Sequence, residues 1–264
     1  MFTGRVYISG GCGPAPLTSM WLLSWNCQGL RNPCTVRELL LLIKEQEPSV
    51  LFLSETRLDS IGVERLRVTT KFDSAFCVPR KDTRGGLAVL WRAKMDVKLN
   101  TSSRNHIDVD VVNMHTGKGF CLTGFYGNVE TYKWKESWVL LKHLSHLSSS
   151  LWLCMGDFNE ILDNSERKGR GYRPEWQIRD FGEVVVQCGL HDLGYVGKSF
   201  TWRNKKDANA FVTTGLDRMM ALSTWIEVFV GAVVTHLAVQ NSDHCPFILD
   251  IPNGLRVQRK KKIF

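Results

Sequence analysis

The sequence predicts a mixed α+β fold, a β-rich α/β sandwich, and three observations point there. Short apolar runs of strand length recur along most of the chain, while only three or four segments read as helices. Neither a G-x-G-x-x-G fingerprint nor a Walker loop is present, so a doubly wound nucleotide-binding sheet has no support. The 264 residues fit one large domain or two small ones, enough for a sizeable core.

The elements follow in order. Residues 1–19 are rich in Gly, Pro and Ser and read as a loose leader to a domain spanning 20–252. Trp21–Asn26 reads as a strand. Thr35-Val36-Arg37-Glu38 has the form of a capping box, Thr35 at the N-cap and Glu38 at N3, opening a helix that runs to Gln46. Val50–Ser54 is a buried strand that stops at Glu55. Further strands are expected over Ala75–Pro79, Gly86–Trp91, Ile107–Val112 and Phe120–Tyr126. The strict alternation Ile107-Asp108-Val109-Asp110-Val111 predicts one wet face. Thr131–Leu147 and Glu175–Gln187 read as helices, the second announced by Pro174. Between them the apolar run Leu151-Trp152-Leu153-Cys154-Met155 stops at Gly156 and Asp157, a buried strand ending on a carboxylate. Late strands are expected over Ser199–Arg203, Ala232–Val239 and Phe247–Ile251.

Composition narrows the class. Shares of 44% hydrophobic and 23% charged residues are those of an ordinary globular chain that needs no disulfide staple. The eight cysteines form no Cys-x-x-Cys pair and several lie in apolar runs. They read as reduced, buried thiols of an intracellular protein, which argues against a zinc cluster. The densest apolar run, Leu39–Ile43, falls far short of the roughly 18 residues that cross a membrane. The first twenty residues lack a secretory apolar region, so a nuclear or cytoplasmic protein is expected. Of the net charge of +8, five units sit in the tail 253–264, on Arg256, Arg259, Lys260, Lys261 and Lys262, with no acid among them. Such a polycation suits phosphate polyanions or nuclear import, and a plain solvated end fits equally well.

Polar residues recur where apolar strands end. Asn26 ends the first strand, Glu55 follows the second, and Tyr126 ends Gly124-Phe125-Tyr126. Gly156-Asp157-Phe158-Asn159 adds two more, Asp217 sits in Gly215-Leu216-Asp217-Arg218, and Asp243 and His244 precede the last strand. Residues i and i+2 of a strand share a face, so Asp157 and Asn159 can reach one pocket while Phe158 turns into packing. Asn26, Glu55 and Asp243 offer hard oxygen ligands that suit Mg²⁺, with Mn²⁺ as a substitute. An Asp–His couple suits proton transfer or charge stabilisation at phosphorus. Each motif alone is weak, since a single strand-terminal Asp or Asn is more often a turn former. Their order carries the argument.

That order resembles the endonuclease/exonuclease/phosphatase superfamily, the DNase I-like fold, over about Trp21 to Ile251. The segments WNCQGL, LSET, GGLAVLW, GDFNEIL, LHDLGYVGKSFTWRN, LDR and SDHCPFIL are similar to the endonuclease domain of plant LINE-type retrotransposons. The resemblance implies a four-layer α/β sandwich and an Mg²⁺-dependent DNA endonuclease that leaves a 3′-hydroxyl. It assigns Asn26 and Glu55 to the metal, with Asp243 completing its shell, and Tyr126 to the phosphate. It gives the attacking water to Asp157, with Asn159 steadying water and phosphate. It has Asp217 orient His244, which faces the charge on phosphorus. Phe200-Thr201-Trp202 resembles an aromatic segment that lines the DNA-facing pocket of relatives. Trp202 with Arg203 and Lys205 suits stacking and phosphate contact, Phe200 reads as core, and the other six histidines read as structural or surface residues. Two alternatives stay open: a phosphatase of the same fold acting on inositol phosphates, and a decayed nucleic-acid binder. The first usually carries Pro-Ala-Trp-x-Asp-Arg, whose first half is missing before Asp217-Arg218; the intact polar set argues against the second.

Overall fold

The computed structural model describes residues 19–81, 85–148, 151–204, 211–239 and 242–252. The expected leader up to residue 18, Lys205 and the basic tail from residue 253 lie outside them. The chain begins with β1 (Met20–Asn26), α1 (Pro33–Gln46), β2 (Val50–Ser54) and α2 (Ser60–Thr70). Five strands follow: β3 (Ser74–Val78), β4 (Leu87–Trp91), β5 (Met95–Ser103), β6 (His106–Asn113) and β7 (Gly119–Tyr126). A 3₁₀ turn over Thr131–Lys133 leads into α3 (Trp134–Leu147) and then β8 (Trp152–Asp157). After β9 (Arg167–Gly169) come α4 (Glu175–Gln187), β10 (Leu190–Asp192), β11 (Trp202–Arg203) and β12 (Val212–Thr214). The chain closes with β13 (Asp217–Leu222), α5 (Ser223–Val228), β14 (Val233–His236) and β15 (Phe247–Ile251).

Two six-stranded sheets form, in the orders β14-β15-β1-β2-β4-β3 and β10-β13-β8-β7-β6-β5, beside a small ribbon β11-β12-β9. Within each large sheet one pair is parallel, β1 with β2 and β7 with β8. A parallel pair needs a crossover, and α1 and α3 supply it.

The continuous apolar runs are explained by burial on both faces. Leu22, Val50 and Phe52 point into the space between the sheets, where they meet Val109, Leu122 and Met155. Their neighbours Leu23, Leu51 and Leu53 point outward, against Leu39, Ile43, Val63 and Leu66 of α1 and α2. The second sheet does the same with Cys121, Phe125 and Trp152 against Trp138, Leu141, Phe181 and Val184 of α3 and α4. Strand alternation thus sorts one apolar run into two cores, and the result is the expected four layers, helix, sheet, sheet, helix. Gly124 sets the sheet spacing: a Cβ there would stand 2.3 Å from carbons of the Phe52 ring.

Several expectations need correction. Helix α1 is capped by Asn32, whose Oδ1 accepts from Cys34 N at 2.9 Å, while Pro33 opens the helix and Thr35 is buried inside it. Pro33 presets the helical φ one position after an extended Asn32, which overrides the capping-box pattern. The expected wet face of β6 is not uniform: Asp108 is buried and accepts from Thr123 Oγ1 and Cys121 Sγ. Among the described residues there are five α-helices, α2 among them, capped by Asp59 through Gly62 N at 2.7 Å. The run Ser199–Arg203 contracts to β11, and Ala232–Val239 to β14. The thiol reading holds for Cys27, Cys121, Cys154 and Cys188, which are buried and unpaired, whereas Cys34 is exposed. Burial pushes the Cys27 and Cys121 thiols up to about 12, so they stay protonated. Among the described residues no helix is long and apolar enough to cross a membrane.

Candidate active site

The carboxyl ends of the two parallel pairs converge. Asn26 ends β1, Glu55 follows β2, Tyr126 ends β7 and Asp157 ends β8. The Asn26 side-chain amide joins the two sheets: Nδ2 donates to Asp157 Oδ2 at 2.9 Å and to Glu55 Oε1 at 3.2 Å. The Tyr126 hydroxyl donates to the same Glu55 oxygen at 2.7 Å. Burial, with the Glu55 and Asp157 charges, raises the Tyr126 hydroxyl far above its usual range and keeps it a donor.

Strand β13 runs antiparallel to β8 and sets Asp217 opposite Asp157. His244, just ahead of β15, completes the group. Its Nδ1 lies 2.8 Å from Asp217 Oδ2, and its Nε2 faces Asp157 Oδ2 at 3.8 Å. Asp217, Asp157 and His244 are all buried. Their ligand-type atoms lie within 4.8 Å of one another. With Nδ1 committed to Asp217, this is an acid–base couple beside a carboxylate rather than an open chelate.

The backbone supports that placement. Trp25 Nε1 donates to the His244 carbonyl at 3.0 Å. Ser242 Oγ accepts from His244 N at 3.1 Å and donates to the Asn26 carbonyl at 3.2 Å. Thr201 Oγ1 accepts from the main-chain N of Leu216 and of Asp217, at 3.0 and 2.9 Å. Gln28, Glu55, Arg57 and Asn159 all adopt left-handed backbone, with φ of 49°, 52°, 55° and 58°. Four non-glycine residues in that sparsely populated region, gathered at strand ends, are strain of the kind that active sites hold.

Asn159 reaches the group by a route other than strand alternation. The strand stops at Asp157, and Phe158 packs between Phe125 and Phe181, with ring centroids 5.0 and 5.8 Å away. Left-handed Asn159 then folds back, its N donating to Asp157 Oδ1 and its Nδ2 to the Gly127 carbonyl, both at 2.9 Å. Gly156 is needed just before: its φ is +142°, and a Cβ would stand 2.0 Å from the Phe125 carbonyl oxygen.

The electrostatics separate the groups. Burial and the neighbouring Asp217 charge raise Asp157 to about 7, against the lowering pull of His244 and Asn26. Burial works against charge on His244, but Asp217 and Asp157 outweigh it and lift the ring to about 10. At neutral pH the ring carries its proton beside an Asp157 carboxyl held well above the usual carboxylate range.

Of the three expected metal ligands, Asn26 and Glu55 are in direct contact, whereas no hydrogen bond or ion pair joins the Asp243 carboxylate to either among the described residues. The Asp243 carbonyl accepts from Arg203 N at 2.9 Å. The donor set still fits a hard divalent cation. Asp243 Oδ1 is a buried carboxylate oxygen with no hydrogen-bond partner among the described residues, and Glu55 Oε2 has Arg57 at 3.5 Å.

Trp202 is half-buried in β11, bridged to His244 by main-chain pairing, with exposed Arg203 next to it. Phe200 is half-buried and stands outside the core clusters, a correction to its expected place. The other described histidines that make contacts serve structure: His106 meets Thr101 and Ser103, His191 meets Ser223, and His236 stacks on Tyr195 at 4.4 Å. Sequence reasoning missed Arg57, Thr201 and Ser242. Two of these sit inside quoted motifs, LSET-Arg57 aside, and adjacency to Trp202 and His244 was the available signal.

Comparison with known proteins agrees with this geometry. The family model described as Endonuclease/Exonuclease/phosphatase family matches residues 23–244. A search of curated proteins finds no match. Among solved structures, the endonuclease domain of TRAS1, a telomere-specific non-LTR retrotransposon, superposes with a TM-score of 0.68 at 15% identity, covering 91% of this chain and 100% of that one. The AP endonuclease LMAP from Leishmania major gives 0.68 at 14% identity, covering 96% and 93%. The 3′-5′ exonuclease NExo from Neisseria meningitidis gives 0.64 at 16%, covering 88% and 99%. At these identities the structures speak for the fold. The family match, spanning both parallel pairs and reaching His244, shows that the chain belongs to the endonuclease/exonuclease/phosphatase family, enzymes that hydrolyse phosphate esters.

Proposed function

We propose that this chain is a divalent-metal-dependent DNA endonuclease that leaves a 3′-hydroxyl, of the retrotransposon type. The observation that carries the reading is the single buried group formed by Asn26, Asp157, Asp217 and His244 beside Glu55 and Tyr126. In this reading water attacks phosphorus, its proton passes to Asp157, the bond from phosphorus to the 3′ oxygen breaks, and that oxygen takes a proton from solvent to leave as the hydroxyl. Asn159 N and Asn26 Nδ2 hold the two Asp157 oxygens and so aim its free lone pair. His244, charged and fixed through Asp217, turns Nε2 towards the phosphoryl oxygens, where negative charge grows. Tyr126 presents its hydroxyl to the phosphate. Glu55, with Asn26 and Asp243, would hold Mg²⁺ or Mn²⁺. When bound, the ion supplies positive charge beside the phosphate oxygens. Trp202 and Arg203 offer stacking and charge to the nucleic acid, and the sequence adds the charge of Lys205, which lies outside the described residues. The basic tail supports action in the nucleus.

The test incubates purified protein with supercoiled plasmid, an apurinic-site duplex and an inositol polyphosphate, with and without Mg²⁺. The expected result is nicked plasmid whose ends a polymerase extends, and no nicking in EDTA. Turnover of the inositol polyphosphate with intact plasmid would overturn the substrate, and undiminished nicking in EDTA would overturn the metal.

A further inference from the structure

We propose that the cavity between the starts of α3 and α4 is a second nucleic-acid contact, a pocket that stacks one unpaired base of the bound DNA; it rests on the DNA-cleaving reading above. The cavity measures about 390 Å³, within the usual range for ligand sites, and Tyr132, Trp134, Lys135, Trp138, Trp176 and Gln177 line it.

Two buried polar atoms on its lining residues are unmatched. Trp134 and Gln177 are 4% and 7% exposed. Among the described residues Trp134 Nε1, a donor, and Gln177 Oε1, an acceptor, have no hydrogen-bond partner. Such orphans are uncommon and call for an explanation. The edge of a base offers an acceptor and a donor side by side and matches both needs. The rim supplies faces: Trp176 is 48% and Tyr132 79% exposed. Cations stand among the rings, Lys133 Nζ 5.1 Å over Tyr132 and the Arg173 guanidinium 5.1 Å over Trp134. Aromatic faces interleaved with cations are what stacked bases and their phosphates need, whereas a purely apolar partner would gain nothing from those charges.

Both walls are tied to the catalytic strands. Asn128, two residues after Tyr126, donates its N to Ser137 Oγ at 2.8 Å and its Nδ2 to the Lys133 carbonyl at 3.2 Å, which fixes the start of α3. Glu160, three residues after Asp157, pairs with Arg173 at 3.3 Å, just ahead of α4. A file of rings, Phe158 to Phe181 at 5.8 Å and Phe181 to Trp138 at 4.6 Å, links the residue after Asp157 to the cavity floor. A strand whose phosphate lies at Tyr126 and Asp157 can therefore present a nearby base here. Trp202 flanks His244 instead, so the two aromatic contacts are separate.

The experiment uses the full chain carrying Asp157→Asn, so that DNA is bound without being cut. Oligonucleotides substituted with 5-bromodeoxyuridine are photo-crosslinked and the adducts mapped by mass spectrometry. Affinity for the same DNA is measured after adding Trp176→Ala or Trp176→Phe. The expected result is an adduct on Trp176 or Tyr132, and about tenfold weaker binding for Trp176→Ala that Trp176→Phe largely restores. Trp176 is half exposed, so the core survives the change, which circular dichroism verifies. DNA binding with no adduct on either residue and unchanged affinity of Trp176→Ala overturns the pocket alone. No DNA binding by the parent overturns the endonuclease reading with it.

Discussion

The molecule builds one local design twice and uses it for two purposes. In the first sheet β1, α1 and β2 form a parallel pair with a crossover helix, and so do β7, α3 and β8 in the second. Each pair delivers a carboxylate past its second strand. Glu55 keeps 16% of its side chain open and faces Arg57, while Asp157 is 1% open and shares its space with Asp217 and His244. The same strand-helix-strand design thus yields a partly open carboxylate on one side and a buried one on the other. What differs is the lid: β13 and the segment before β15 close over Asp157, and nothing equivalent among the described residues closes over Glu55. Environment, rather than residue type, assigns the roles.

Asp157→Asn breaks the buried side, and it carries the largest expected effect. The amide is nearly isosteric, so packing survives, and loss of the proton acceptor lowers turnover by roughly 10²–10⁴-fold. Added metal restores none of it. Single-turnover cleavage compared with binding to the same DNA checks this; near-parental cutting would remove Asp157 from the chemistry.

His244→Ala lowers the rate by roughly 10²–10³-fold, since one donor facing the developing charge is lost. The expected pH–rate profile of the parent is a bell, which initial rates across about pH 5–11 would check. Its acid limb follows Asp157 losing its proton at about 7, and its alkaline limb follows His244 losing its proton at about 10. Stability has a definite sign as well. His244 is raised from 6.5 to about 10, so its contribution is full below 6.5 and is lost as pH rises through 10. Denaturant melts across that window should show a steeper loss for the parent than for His244→Ala.

Glu55→Gln tests the open side. The expected change is on the order of tenfold in the metal concentration for half-maximal rate, with most of the rate recovered at saturation. A metal titration reads it, and a rate that metal cannot restore would mean that Glu55 behaves like Asp157. Arg57→Ala has the smallest effect. A half-exposed pair at 3.5 Å is screened by water, so activity changes by about fivefold at most.

The sequence carried more of the site than its appearance as scattered motifs suggests. Apolar runs halted by Asn26, Glu55, Tyr126 and Asp157 mark strand ends, because a polar side chain inside a buried strand needs a partner, as Asp108 has, and at a strand end it can reach a site instead. The alternation of Leu22 with Leu23 and of Leu51 with Phe52 contains both cores, yet nothing local says which face belongs to which. Other features depend on partners distant in the chain. Asp108 looks like a surface residue until Thr123 and Cys121 are placed beside it. Helix α2 buries only Val63, Leu66 and Thr70, too sparse a stripe to stand out. Strand β13 opens with Asp217-Arg218, and its burial rests on ion pairs from Arg218 to Glu166 and Asp192 at 2.6 and 2.8 Å. The left-handed turn at Asn159 reads as strand alternation until the hydrogen bond from its Nδ2 to the Gly127 carbonyl is seen.

The antiparallel pairing of β1 with β15, Met20 against Ile251 and Ser24 against Phe247, has a consequence for biosynthesis. Among the described strands, β1 is made earliest, sits inside its sheet and waits for β15, the latest. Until then Trp25 lacks the His244 carbonyl and Asn26 lacks the hydroxyl of Ser242, bonds that span 219 and 216 residues. A nascent chain halted anywhere before His244 therefore carries Asp157 without its cationic counterpart. On the proposed reading, the cutting site is complete only when nearly the whole domain has been made.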